Sequence, residues 1–168
     1  MALADRIAIL DCGKTQQFDT PDNLYEKPAN LFVANFMGNP PMNFIKARLE
    51  GNRIRIMDSY INIEMPLLPH EDGSDVKIGT RSHKMPFSLD RSEDAPIRME
   101  VRNVENLGKE LLVYGRIGDD EIRVSVQDKS LYSELRSRAG RKHSCYVGLG
   151  KSYNVFMTSD GNNIVDFK

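Results

Sequence analysis

The sequence has no tryptophan, two cysteines in 168 residues, and no apolar run near the roughly 20 residues that a membrane-crossing helix needs. Cys12 and Cys145 stand far apart, outside the close spacings that hold a metal or run disulfide exchange. So few thiols fit a reducing, intracellular setting better than a disulfide-stapled one. An excess of one charge is lacking too. The 23 Lys and Arg face 24 Asp and Glu, for a net charge of −1, which gives no general attraction to nucleic acid or anionic lipid. The start of the chain has one acid, Asp5, one base, Arg6, and a four-residue apolar run, short of a secretory leader. Low-complexity tracts and short-period repeats are absent. The chain length fits one domain or one and a fraction, and a hydrophobic fraction of 40 % allows a modest core.

Motifs of catalysis are missing as well. No G-x-x-x-x-G-K-[ST] run cradles phosphates, and "GLGKS" at Gly148–Ser152 lacks the upstream glycine and a following helix, so it reads as a hairpin turn. No serine sits in a G-x-S-x-G elbow. His70, His83 and His143 are scattered without neighbouring ligands, which reads as exposed loop or edge histidines rather than a metal site. The acid pairs Glu71–Asp72, Glu93–Asp94 and Asp119–Asp120 fall in turns and read as solvated carboxylates rather than acid/base pairs. "RSRAGRKH" gathers Arg136, Arg138, Arg141, Lys142 and His143 near Tyr132 and Tyr146. A nucleic-acid patch would want such aromatics, but the run reads instead as a basic surface at a helix end, where positive charge suits the helix dipole.

What is present has two textures. Residues 1–42 mix one hairpin with short helices. In "RIAIL" both faces are apolar, the pattern of a strand covered on two sides. "DCGK" is a tight turn in which Gly13 supplies positive φ. Thr20 caps a helix with Pro21 at its first position, and Pro28 ends it. A second helix spans Asn30–Gly38, with Phe32, Val33, Phe36 and Met37 on one face that reads as core rather than as a docking stripe. Residues 43–168 alternate instead. Ile54 and Ile56 oppose Arg53 and Arg55; Ile61, Ile63 and Met65 oppose Asn62 and Glu64; Ile122, Val124 and Val126 oppose Arg123 and Ser125; Cys145, Val147 and Leu149 share a face. Further strands fall at 44–49, 76–80, 97–104, 110–117 and 154–158, with turns at "EGNR", "EDGSD", "GDDE" and "SDGNN" and one helix near Ser130–Arg138. Period two with one wet face means antiparallel sheet, and this spacing points to a small barrel.

One long stretch carries a resemblance. Leu3–Ile7, Gly13–Lys14, Gln16–Gln17, Thr20–Pro21, Leu24–Tyr25, Pro28–Asn30, Phe32–Ala34, Phe36, Gly38 and Pro41–Phe44 resemble, in order, the end of the ATP-binding domain of carbohydrate-importing ABC transporters of the maltose and glycerol-phosphate type. Val101, Val104, Glu105, Leu107 and Gly108 resemble the Val-x-x-Val-Glu-x-Leu-Gly segment of that family's regulatory domain. Where the family reads Ile-Gly-x-Arg-Pro-Glu-His, this chain reads "IGTRSHK". Ile78, Gly79 and Arg81 match, while Ser82, His83 and Lys84 depart, which changes local charge and removes a stiff proline.

The resemblance implies a mainly β fold, an OB-type transport-associated barrel over 43–168, preceded at 1–42 by the truncated α/β tail of an ABC ATPase domain. It implies the regulatory and dimerising end of the ATP-binding subunit of a bacterial carbohydrate importer. ATP and Mg²⁺ would belong to the parent protein, with no cofactor, metal or catalytic residue in this stretch. The implied partners are a second copy of the chain, permease subunits reached through the ATPase domain, and a regulatory protein or small ligand, with no nucleic acid. The implied location is the cytoplasmic face of the cell membrane. The alternative is a stand-alone small-ligand or oxyanion sensor. Arg81, His83 and Lys84 are the ligand or interface candidates, against the plainer expectation that their loop is solvent-exposed. Lacking its neighbouring sheet, the 1–42 segment is expected to be disordered at its start, to repack on the barrel, or to exchange between copies, with strand Ile7–Leu10 and Phe32–Phe36 partly exposed.

Overall fold

The computed structural model describes residues 4–139 and 144–167. Arg141, Lys142 and His143 of the basic run lie outside the described residues.

The chain begins with an antiparallel hairpin, β1 (Ile7–Asp11) and β2 (Lys14–Asp19). Its two turn residues, Cys12 and Gly13, both have positive φ, at 47° and 79°. That is the turn whose twist matches a two-residue hairpin. Cys12 therefore shares with Gly13 a conformation that L side chains adopt reluctantly, whereas the sequence points to Gly13 alone. The strand is not covered on both faces: Ile9 is buried, but Leu10 is 60 % exposed.

Two short helices come next. In α1 (Pro21–Glu26) the Thr20 hydroxyl accepts from the Asn23 amide at 3.3 Å, and Pro21 sits in the first turn. In α2 (Leu31–Phe36) the Asn30 side chain accepts from the Val33 amide at 3.0 Å. The buried face of α2 is Val33 and Ala34, not the expected aromatic stripe. Phe32 and Phe36 are 39 % and 67 % exposed and stack on each other with ring centres 6.4 Å apart. A helix of six residues makes under two turns, so it can bury only one narrow strip.

The rest is a body of two five-stranded antiparallel sheets. Its strands are β3 (Asn43–Glu50), β4 (Arg53–Ile56), β5 (Ser59–Asn62), β6 (Asp75–Thr80), β7 (Phe87–Ser88), β8 (Ile97–Asn106), β9 (Leu111–Ile117), β10 (Asp120–Val126), β11 (Ser144–Val147) and β12 (Asn154–Met157). One sheet runs β12-β6-β3-β4-β5 and the other β10-β9-β8-β11-β7. A single apolar core fills the space between them, with Ile45, Leu49, Ile54 and Ile78 from one side and Met99, Val113, Ile122 and Val147 from the other. The mainly β, small-barrel fold class read from the alternation is the one found.

Asn43 closes the two sheets at one seam. Its side-chain amide donates to the Arg123 carbonyl at 2.7 Å, and its side-chain oxygen accepts from the Arg123 amide at 2.9 Å. One side chain thus imitates a strand pair between β3 and β10, with its buried polar atoms satisfied. Beside it the Lys46 amide donates to the Asp120 carboxylate at 2.8 Å. A 3₁₀ turn at Lys129–Leu131 leads into α3 (Tyr132–Arg138), which buries Leu135.

One strand escapes the sequence reading and one expectation needs correction. The two-residue strand β7 has no period to reveal it. "GLGKS" is not a hairpin turn, because β11 and β12 belong to different sheets, so residues 148–153 cross from one sheet to the other. That crossing is tight. A Cβ on Gly148 would lie 1.9 Å from the Asp94 carbonyl oxygen, so only glycine permits the backbones to meet.

Candidate functional site

Both short helices end without a basic residue in the last turn. Their terminal carbonyls therefore need donors from elsewhere. Arg81, just after β6, supplies them. Its Nη2 donates to the Tyr25 carbonyl at 2.8 Å and its Nη1 to the Met37 carbonyl at 2.7 Å, with a longer contact to the Ala34 carbonyl at 3.5 Å. The guanidinium carbon lies 4.0 Å from the centre of the Tyr25 ring. A planar fork with several donors and a stacking face suits this position where an ammonium would not.

The expectation that this loop is solvent-exposed fails at Arg81, which is 3 % exposed. Burial lowers the pKa of its guanidinium, while Tyr25 and Glu26 act in the opposite sense. The group stays charged. Arg81 Nε is buried with no hydrogen-bond partner among the described residues. His83 is exposed and lies nearly parallel to the Tyr25 ring, with centres 6.4 Å apart. Lys84 Nζ pairs with the Glu26 carboxylate and reaches Ser152 Oγ at 3.4 Å. All three candidate residues are thus brought to one seam, and each faces α1 of the same chain.

Polar groups extend that seam. The Asn163 side chain donates to the Pro28 carbonyl at 2.8 Å, its amide to the Ala29 carbonyl at 2.9 Å, and the Leu31 amide to the Gly161 carbonyl at 2.9 Å. A small apolar contact of Ala34, Met42 and Phe156 lies under them.

The remaining candidate groups stand apart from this seam. The His70 ring nitrogen Nδ1 is 2.9 Å from the Leu68 carbonyl on the surface, and His143 lies outside the described residues. Among the described residues no three His, Cys, Asp or Glu side chains gather as a metal site would require. The Asp72 carboxylate accepts from the Gly51 amide at 2.7 Å, a turn-capping role. Arg138 pairs with Glu134 at 2.6 Å and Arg136 donates to the Tyr132 hydroxyl at 3.1 Å, so this part of the basic run is engaged within its own helix. Burial raises the pKa of the Cys145 thiol, and the Asp11 side chain raises that of Cys12, so neither is set up as a nucleophile.

Among the clefts that open on the body, two are bordered by segments distant along the chain. One, of about 440 Å³, is lined by Met57, Ser59, Arg98, Glu100, Arg116 and Ser144, and Arg98 Nε donates to Ser144 Oγ at 2.6 Å. The other, of about 910 Å³, lies between the end of β5, the 91–96 loop and the crossing segment. Sequence reasoning found neither, because their walls come from segments distant along the chain.

Comparison with known proteins gives consistent relatives. The chain is 37 % identical over 123 residues to the sulfoquinovosyl glycerol transport ATP-binding protein SmoE of Agrobacterium fabrum, covering 71 % of this chain and 34 % of that one. It is 30 % identical over 185 aligned positions to the diacetylchitobiose uptake system ATP-binding protein MsiK of Streptomyces coelicolor, covering 99 % of this chain and 47 % of that one. The chain thus spans between a third and a half of the length of these relatives. Among solved structures, the cytoplasmic molybdate-binding protein ModG superposes with a TM-score of 0.46 at 14 % identity, covering 67 % of this chain and 94 % of that one. No family model matches the chain.

Proposed function

We propose that this chain, a relative over most of its length of the ATP-binding proteins of carbohydrate importers, is the C-terminal regulatory region of such a subunit. Residues 1–42 are then the closing piece of the nucleotide-binding domain, and 43–168 the OB-type transport-associated domain. The observation that carries this reading is the Arg81 seam. The segment with the importer-type motif is joined to the body through a buried cation that holds the ends of both its helices. A movement of those helices must shift or break the hydrogen bonds that Arg81, just after β6, makes to them.

In this role the body pairs with a second copy and keeps two ATPase domains close, at a high effective concentration, while they open and close. The subunit works on the cytoplasmic face of the membrane beside permease subunits. The region itself neither binds nor splits ATP; those steps belong to the nucleotide-binding domain of the parent. Arg81, His83 and Lys84 then form an interface within the subunit. The oxyanion-sensor alternative is disfavoured at that loop, because the Arg81 Nη atoms already donate to carbonyls.

The test is an immunoblot of native lysate with serum raised against this chain. A band at roughly 40 kDa, with an additional domain of about 200 residues, is expected. A single band at the 19.1 kDa of the chain itself would overturn the reading.

A further inference from the structure

The larger cleft of the body, lined by Tyr60, Asn62, Glu64, Arg91, Asp94 and Tyr153, has the features of a ligand site, and we infer that it binds an uncharged polyhydroxylated molecule of mono- to disaccharide size. Its volume of about 910 Å³ falls within the range of small-molecule sites. Three observations select the ligand.

First, polar groups converge there without partners. The side chains of Asn62, Arg91, Asp94 and Lys151 have no hydrogen-bond or ionic partner among the described residues. Tyr153 is 3 % exposed, and its buried hydroxyl, beside the Glu64 backbone, has no side-chain partner among the described residues. Burial raises the pKa of this phenol, so it remains a neutral donor.

Second, the charges balance closely. Arg91 and Lys151 face Glu64, Glu93 and Asp94, so two cations meet three carboxylates and the lining carries −1. Phosphate-like anions gain nothing from such a wall. An amide, a carboxylate and a guanidinium side by side offer alternating donors and acceptors, the pattern that vicinal hydroxyls match. Third, Tyr60 is 53 % exposed at the cleft and presents an aromatic ring, a flat apolar surface for the C–H face of a sugar ring.

The wall is also held in place. Gly148 lies in backbone contact with Asp94, and a Cβ on Gly150 would lie 2.2 Å from the Lys84 carbonyl oxygen. Both contacts fix the crossing segment that carries Tyr153 and Lys151. The site rests on the cleft alone and not on the importer reading, so failure of the immunoblot leaves it standing.

The ¹⁵N-labelled 168-residue chain would be titrated with maltose, trehalose and glucose, and separately with inorganic phosphate, each to about 20 mM. The expected result is a saturable shift of the Asn62, Asp94 and Tyr153 amide resonances with at least one sugar, at a Kd on the order of 1 mM. Tyr60→Ala and Asn62→Ala, both at exposed positions, should weaken that binding about tenfold with an unchanged thermal midpoint. Resonances that stay still with all three sugars would overturn the inference. So would a cleft that answers to phosphate alone, or sugar shifts that survive both substitutions.

Discussion

The body and the hairpin-helix segment before it are stabilised by different physics. The body encloses one continuous apolar core drawn from both sheets. The segment buries a small cluster, Ile9, Leu24 and Val33, and exposes Leu10, Phe18, Phe32 and Phe36. So small a cluster cannot offset the backbone entropy of ordering the segment. What fixes it is directional: Arg81 on two carbonyls, Asn163 on a third, and Lys84 on Glu26. Apolar burial is tolerant of small displacements, whereas hydrogen bonds are not. The segment is therefore held in one orientation, but it can be released without unfolding what holds it.

Damage to the body should be the largest effect and should spare nothing. Ile78 is fully buried in β6, between β3 and β12. Ile78→Ala should cost about 2–5 kcal/mol through lost burial and the cavity left behind. Urea unfolding monitored by circular dichroism should show the midpoint falling, with the segment and the body lost in a single transition. A segment that kept its helices after the body had melted would break the comparison.

Damage to the seam should be smaller and one-sided. Hydrogen bonds from a charged group contribute about 1.5–3 kcal/mol each, and Arg81 makes two short ones. Arg81→Ala should lower local stability by about 3 kcal/mol. Hydrogen exchange should speed up across 21–37 while β8 and β9 keep their protection. Arg81→Lys should rescue little, since an ammonium cannot fork between two helix ends. Equal loss of protection in both regions would show that the segment belongs to the cooperative unit of the body.

Much of this division is legible in the sequence. Period-two alternation locates the main strands because each has one face on the core, as in β10, where Ile122, Val124 and Val126 are buried. Thr20, Pro21 and Pro28 place α1 because caps and proline act locally. Contacts between distant segments are not legible. Arg81 reaches residues 44 and 56 positions away, and a lone arginine after a strand carries no local pattern. One signal does exist: two short helices without a basic last turn leave terminal carbonyls open to a donor from outside. Phe32 and Phe36 mislead for the opposite reason, since their spacing is helical but the face turned inward is set by Phe156 and Met42 of the body. The clefts are invisible in the sequence because they exist only once the sheets are assembled.

The exposed aromatic pair offers a third and weaker test. In this chain Phe32 and Phe36 contribute little core, so Phe32→Ser and Phe36→Ser together should change folding stability by about 0.5 kcal/mol or less. Dye binding and self-association should fall, because an exposed stacked pair is the kind of surface that seeks a partner. A clear destabilisation would show instead that the pair is part of the structure of the segment.

The smallest effect concerns acid. The Asp19 carboxylate accepts from Asn23 Nδ2 at 2.9 Å and from the Thr20 amide at 2.8 Å, at the entrance to α1. The Asn23 hydrogen bond, and after it that of Thr20, holds its pKa below the ordinary 3.8. A folded-state pKa lowered in this way gives stabilisation that is present above 3.8 and lost as pH falls through the folded value. Acidification below about pH 4 should therefore loosen the start of α1. Asp160 and Asp128 cap turns of the body by the same means, so they should loosen in parallel there. The consequences differ between the two regions, because a body turn is backed by the core while α1 has little beyond Leu24 and the seam. Amide exchange at Thr20–Glu26 should rise at about pH 3, and Asp19→Asn should flatten that response without altering the body. If the substitution leaves the acid response of α1 intact, the entrance is controlled by the seam and not by its own cap.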